Sequence, residues 1–522
     1  MYPVSSYEMM KDAILKDLVE CKWYGTITTT SGMTRKFTMN DIVEGSCSIA
    51  RSISSDGSLD IGTAYASELK IEFYLDVDRY ILHGAKINLW CKYEYRRPIE
   101  TWEELAPFSW NDISDSPWNN IKPSFKFEIG NFVIAETQRT IEKISVTAYD
   151  YMLNFDSVAI NDLTTGSSNT KLAITGKEKR TPYQWLATLC ASAKISLGST
   201  QTDIASLPNG NFQFYCDMSS IEGGTTARSM LMYLCSALCG FAYIGRDGKL
   251  YVDKYHILPD DTLKAGERYE SELSDFIVYY TGLRSTYVAE SEIEYYKNTS
   301  MTGKDDGLVV DLGVNPFLQI TSSSQRKQVL QNIINSLAMI QYVPYSGSLP
   351  CNPAYDPGDV INFQDNQASS RDYGAITDMT YRLNGKMDLK SSGENPEYVV
   401  ATGIRSNGTY TGGAGSGASS EGPWIETSTK TDVSMVESEM IEMNTVSHQN
   451  GQATDQKTGI QYMASYYKDV TGEVVAEVYF NDDLIATFKE VQDPGNRTFP
   501  INMAYNFSTA GNNTISVLLG GE

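Results

Sequence analysis

Ser145-Val146-Thr147-Ala148-Tyr149-Asp150-Tyr151-Met152-Leu153-Asn154-Phe155-Asp156 is the stretch where the chain changes character. Ile144, Val146 and Ala148 alternate with Lys143, Ser145 and Thr147, which is the period of a strand with one covered face. After Ala148 the alternation stops and an aromatic, aspartate-punctuated turn begins. Sequence before this point is mainly β-rich. Sequence after it is the most clearly helical part of the chain, and β-rich sequence then resumes. An ordinary strand end is an equal alternative on pattern alone.

Working back from this stretch, Phe125, Phe127 and Ile129 carry strand alternation, as do Ile87, Leu89 and Cys91, and Leu69, Ile71, Phe73 and Leu75. Residues 97–123 break the pattern. They are rich in Trp, Pro and Asp, and Trp102, Trp110 and Trp118 are too irregularly spaced for a helix stripe. They read as a long loop or a small excursion from the sheet, a candidate subunit contact. Near the start, 6–19 has helical spacing at Met9, Ala13, Leu15 and Leu18, with Ser5 or Ser6 able to cap it. Residues 23–30 are β-branched, and Ser31-Gly32 marks a hairpin.

Working forward, Thr181-Pro182 opens a helix, with Gly198 expected to end it. A second helix starts near Thr226, with Gly240 expected as its C-terminal cap. Arg246-Asp247-Gly248 is a hairpin turn. After residue 271 strands return, interrupted by one helix carrying Leu330, Ile333, Ile334, Leu337 and Ile340 and stopped by Pro344. Asp356-Pro357-Gly358-Asp359 suits a type II turn, and Asn384-Gly385 a tight hairpin. Gly412, Gly413, Gly415 and Gly417 match no phosphate-binding pattern and read as linker. The last strand runs, Val474 to Phe480, Leu484 to Phe488 and Asn513 to Leu518, suggest a β-sandwich.

The fold class expected is therefore mainly β with a smaller α+β domain. The divisions are a first β-rich domain at 1–155, an α+β domain at 156–260 and a second β-rich domain at 261–405. A Gly/Ser-rich linker at 406–423 and a C-terminal β-sandwich at 424–522 follow.

Composition limits the function. With a net charge of −23 the chain lacks the basic footprint that nucleic-acid binding requires. The same acidity also serves solubility alone. The 34 tyrosines, twice the 17 phenylalanines, suit half-buried sheet faces and subunit contacts. Eight cysteines without a C-x-x-C pair fit synthesis in a reducing cytoplasm. Cys235 and Cys239 share a helix face, but no nearby histidine or second cysteine pair completes a metal site, so core packing is the expectation. The three histidines, His83, His256 and His448, stand in no metal or catalytic motif, and no nucleophile motif appears. No enzyme, cofactor or metal is expected. No signal peptide and no membrane span is read.

The opening stretch resembles the end of the first β-rich domain in tail hub proteins of phages and prophages of Gram-positive bacteria, the N-terminal hub parts of tail-associated, prophage tail endopeptidase-like proteins. The segments Ile61-Gly62-Thr63-Ala64-Tyr65-Ala66-Ser67-Glu68-Leu69, Ile129-Gly130-Asn131-Phe132-Val133-Ile134-Ala135-Glu136, Asn315-Pro316-Phe317-Leu318 and Asp356-Pro357-Gly358-Asp359-Val360-Ile361 carry the same resemblance, in order, across roughly the first 400 residues. It implies two β-barrel-type tube domains per chain. It further implies a homotrimer that adapts a sixfold tail tube to a threefold tip, and a channel through which DNA passes without specific binding. The implied partners are the distal tail protein or tail tube ring, the tape measure protein and tail fibre or receptor-binding proteins. The implied place is the virion, assembled in the host cytoplasm. The peptidase activity of that family belongs to segments beyond the hub, and nothing here matches them. The alternative is a glycan-binding adhesin acting through the C-terminal sandwich, with Trp424, Tyr462, Tyr466 and Tyr467 as candidate contacts.

Overall fold

Alternating apolar residues build the largest element, one antiparallel sheet of eleven strands. In the computed structural model its strands, numbered along the chain, are β1 Val19–Thr28, β2 Thr34–Thr38, β3 Ser48–Ser52, β4 Glu68–Phe73, β5 Lys86–Tyr95, β6 Ser124–Arg139, β7 Ile144–Asp150, β8 Glu270–Leu273, β9 Tyr345–Pro350, β10 Asp378–Arg382 and β11 Lys386–Ser391. They lie in the order β8-β9-β11-β10-β3-β4-β7-β6-β5-β1-β2. Every neighbouring pair is antiparallel. Strands from 1–155 and from 261–405 thus share one sheet, joined where β10 pairs β3, with Thr380 opposite Ala50. Among the described residues no sheet closes into a barrel.

The structure describes residues 2–4, 7–55, 58–59, 61–74, 81–161, 172–173, 179–217, 225–288, 292–300, 307–319, 322–364, 373–382 and 385–396, and the strands at 407–409, 441–450, 456–468, 472–480, 483–492, 495–507 and 511–521. By its contacts the chain divides into two compact units, 1–400 with 406–417, and 401–405 with 418–522.

The first unit holds two cores. One lies on the sheet: Ile87, Leu89, Cys91, Phe127, Val146 and Ala148 meet Met379, Tyr381 and Leu389 there. Each such side chain taken fully out of water contributes about 1.5–3 kcal/mol. The other core is largely helical. The helices Met152–Asp156, Pro182–Ala193, Ala227–Ala237 and Ser323–Leu337 pack with the hairpin Gly240–Ile244/Leu250–Lys254 and the strand Val278–Tyr287. The stretch quoted first passes from one core to the other. Val146 and Ala148 belong to the sheet core, while Met152 and Phe155 belong to the helical one.

Several local expectations are corrected. The first helix is shorter, Tyr7–Leu15, and Ser5 and Ser6 lie outside the described residues. The helix opened by Thr181 does carry its capping box, Thr181 Oγ1 accepting from Gln184 N and Gln184 Oε1 from Thr181 N. It ends at Lys194, which takes the left-handed conformation (φ 58°), well before Gly198. The helix Ala227–Ala237 is followed by left-handed Cys239 (φ 53°), and Gly240 already starts a strand. The excursion at 97–123 contains two short helices, Trp102–Leu105 and Trp110–Ile113. Asn407–Thr409, inside the expected linker, pairs in parallel with Leu308–Asp311.

In the second unit, Ile441–Asn450, Gly511–Gly521, Gly472–Phe480 and Asp483–Gln492 form a four-stranded sheet, and Gln456–Lys468 pairs with Gly495–Phe507. Val474, Ala476 and Val478 are buried in alternation with less buried neighbours, so one face of that strand is covered.

Candidate functional site

The sheet core and the helical core meet at a buried ionic knot. Arg51 comes from β3, Arg246 from the turn between Gly240–Ile244 and Leu250–Lys254, and Asp356 from the turn before the strand Val360–Gln364. Arg246 Nη2 donates to both Asp356 oxygens at 3.0 Å. Arg51 Nη1 donates to the same carboxylate, and its Nη2 donates to Ile129 O at 2.9 Å. The three residues come from stretches far apart in the chain, and one carboxylate bridges both guanidiniums. Burial works most strongly against the charge on Arg246, but Asp356, with Tyr381 and Cys91 adding to it, leaves the guanidinium above its ordinary value.

Surrounding groups hold the knot in place. The Tyr2 ring lies 4.2 Å from the Arg246 guanidinium, and Tyr2 N donates to Ala354 O at 2.8 Å. Asn131 Nδ2 donates to Arg246 O at 2.7 Å. Tyr381 donates to Tyr355 O, and its ring lies 5.7 Å from the Arg51 guanidinium. Asp359 accepts from Asp356 N at 2.8 Å, and burial pushes its carboxyl up to about 7. A second network ties the first helix to the strand that starts at Asp261. Lys11 Nζ donates to Asp261 Oδ1 and to Thr262 O, each at 2.6 Å, and the Tyr7 and Tyr355 hydroxyls donate to Asp261 Oδ2.

Four of the five segments that carried the resemblance reach this seam, and the fifth, 315–318, packs within the helical core. Asp150 ends β7 with a buried carboxylate that accepts from Ser67 N at 2.7 Å and Met152 N at 3.0 Å, so it closes the strand and opens the next helix. Burial pushes its carboxyl up to about 6. Gly62 sits at φ 89°, and its backbone lies against the helix Ala227–Ala237. Asn315 Nδ2 donates to Tyr233 O and to Ser236 Oγ, both at 2.8 Å, docking the turn before Pro316–Gln319 on that helix. Arg228 spans Ala64 O and Asp156, each at 2.9 Å.

This arrangement ties segments distant in the sequence to one another within the chain. Its carboxylates are engaged by arginines, lysine, hydroxyls or backbone amides. Among the described residues no group of His, Cys, Asp and Glu is placed to hold a metal. Cys235 and Cys239 are both buried in the helical core, and burial pushes the Cys239 thiol up to about 12. No described helix is long and apolar enough to cross a membrane. Of the candidate glycan contacts, Trp424 lies outside the described residues. Tyr462, Tyr466 and Tyr467 lie on Gln456–Lys468, opposite Ile501, Arg497 and Asn496, with side chains outside the described set.

Two surface features stand out. Trp102, Trp110 and Trp118 are 78, 70 and 68% exposed, far more than large aromatics usually are, and the last two rings meet edge-on at 5.7 Å. The sheet's end strands β2 and β8 carry no further strand among the described residues. Sequence reasoning missed the knot. Arg246 and Asp356 stand in turn motifs, where a charged side chain is ordinarily solvated, and nothing local signals burial.

No protein-family model matches the sequence, and no curated protein does. Among solved structures, the chain is similar to the 43 kDa tail protein of prophage MuSo2 from Shewanella oneidensis, at 11% identity and a TM-score of 0.39, covering 72% of this chain and 99% of that one. A tail protein from Neisseria meningitidis MC58 gives 11% identity and a TM-score of 0.40, covering 71% and 96%. A chain of the phage P2 baseplate in its activated conformation with Ca gives 9% and 0.25, covering 71% and 99%. At such values these likenesses fix neither fold nor function.

Proposed function

We propose that this chain is a structural subunit of a phage tail tip or baseplate, a hub whose copies join into a ring that adapts the tail tube and leaves a channel for DNA. The observation that carries this reading is the single antiparallel sheet, drawn from two β-rich segments that flank a helical unit, with the outer edges of both end strands carrying no further strand among the described residues. A long open sheet exposes backbone donors and acceptors at its ends, and ring closure satisfies them. The segments 1–155 and 261–405 act as the tube domains. Their closed wall arises between chains, not within one. The unit at 156–260 braces the sheet through the Arg51–Asp356–Arg246 knot. The exposed tryptophans of 97–123 contribute a subunit contact, and the net charge of −23 keeps DNA from adhering. Homotrimer formation, contacts with the tube ring, tape measure and fibre proteins, and a place in the virion belong to this reading. The test is the mass of the purified full-length chain by light scattering and native mass spectrometry, with negative-stain images. Three copies in a ring is the expected result. A monomer or dimer at all concentrations overturns it.

A further inference from the structure

The two ends of the sheet carry opposite charge. The end strand β2 reads Thr34-Arg35-Lys36-Phe37-Thr38, with Arg35 and Lys36 exposed, and the end strand β8 reads Glu270-Ser271-Glu272-Leu273, with Glu270 and Glu272 exposed. Their inward residues agree as well: Phe37 is buried in the sheet core, and Leu273 packs against the same core. Lys36 on one end and Glu270 and Glu272 on the other therefore stand on the outward face of the same sheet, since alternate residues share a face. The ten ladders between the two ends are all antiparallel, so β2 and β8, the first and eleventh strands, run in the same direction.

We infer that the β2 edge of one chain pairs, in parallel, with the β8 edge of a second copy of this chain. Lys36 then meets Glu270 or Glu272 across the junction, and Phe37 and Leu273 continue one apolar face. Lysine on an edge by itself guards against pairing; an acidic edge of matching face and direction turns the guard into a match. The contact is heterologous, one surface meeting a different one, so repetition gives a ring and not a closed dimer. This rests on the ring proposed above and names the surfaces that close it.

The experiment uses the full-length chain and three variants: Lys36→Glu, the pair Glu270→Lys/Glu272→Lys, and all three changes together. Each residue is exposed, so circular dichroism and the melting midpoint should stay at the wild-type values. Assembly is read by native mass spectrometry and light scattering across a concentration series. Either edge reversed alone should raise the dissociation constant at least about tenfold, and reversing both should restore it. An assembled wild type whose single-edge variants keep its mass and affinity would sink this inference while leaving the ring standing. So would loss in both single-edge variants without recovery in the combined one. A wild type that stays monomeric throughout removes the ring itself and this pairing with it.

Discussion

Asp356 is the one carboxylate that Arg51 and Arg246 share. Changing Asp356→Ala leaves two buried guanidiniums facing one another without a counter-charge and should cost about 3–5 kcal/mol, read as a lower urea midpoint. Arg246→Met leaves Asp356 its pair with Arg51 and fills similar space with a flexible apolar chain. It should cost clearly less, about 1–2 kcal/mol. Equal losses would mean that charge is not what the knot balances. Asp150 gives a pH signature. Burial lifts its folded value to about 6 from the ordinary 3.8. The native state therefore holds this proton more tightly than the unfolded chain does. Its contribution is fully present below about pH 4 and is lost as pH rises through about 6, a swing of about 3 kcal/mol. Asp150→Asn does not titrate there. The stability of the variant relative to wild type should accordingly rise between pH 4.5 and pH 7.5 by about 2 kcal/mol, measured by urea denaturation at both. A flat difference would show that the carboxylate is not desolvated.

At the scale of elements, the seam depends on close backbone approach. A Cβ at Gly62 would lie 2.6 Å from Ser236 Cβ and 2.8 Å from Met232 O, at a φ of 89° that side chains disfavour. Gly62→Ala should therefore lower the melting midpoint by an amount equivalent to about 2 kcal/mol or more. Gly385, equally left-handed at φ 81°, has nothing near its Cβ position, so Gly385→Ala bears the backbone cost alone and should lose less. Comparing the two melts separates helix docking from turn strain. Element types were legible because their periods are local. Leu69, Ile71 and Phe73 announced β4, and Thr181-Pro182 announced its helix to the residue. Helix ends were less legible: exposed Lys194 and buried Cys239 adopt the left-handed conformation where glycine would be expected.

For the whole molecule, the proposed channel makes a prediction about charge. Arg96 and Arg97 are each paired with a carboxylate, and Lys177 of the cluster 177–180 lies outside the described residues. Arg96 meets Asp17 at 2.8 Å and Arg97 meets Glu104 at 3.0 Å, while Arg180 Nη1 donates to Thr188 at 2.8 Å. The assembled protein should not retard duplex DNA in a gel at about 0.15 M salt, where the Debye length is about 8 Å. Tight binding that weakens steeply with salt would contradict a channel built for passage.

The sequence by itself determined which residues alternate, where chains turn, and that the protein is mainly β with a helical insertion. These follow from side-chain period and turn chemistry, which act over a few residues. Only the tertiary structure decided that Ser48–Ser52 pairs with Asp378–Arg382, merging two distant segments into one sheet. It also decided that Asp356 bridges the buried Arg51 and Arg246. Pairing across more than 300 residues leaves no local trace, because a strand edge accepts any compatible partner and the choice is made by which faces can be buried together.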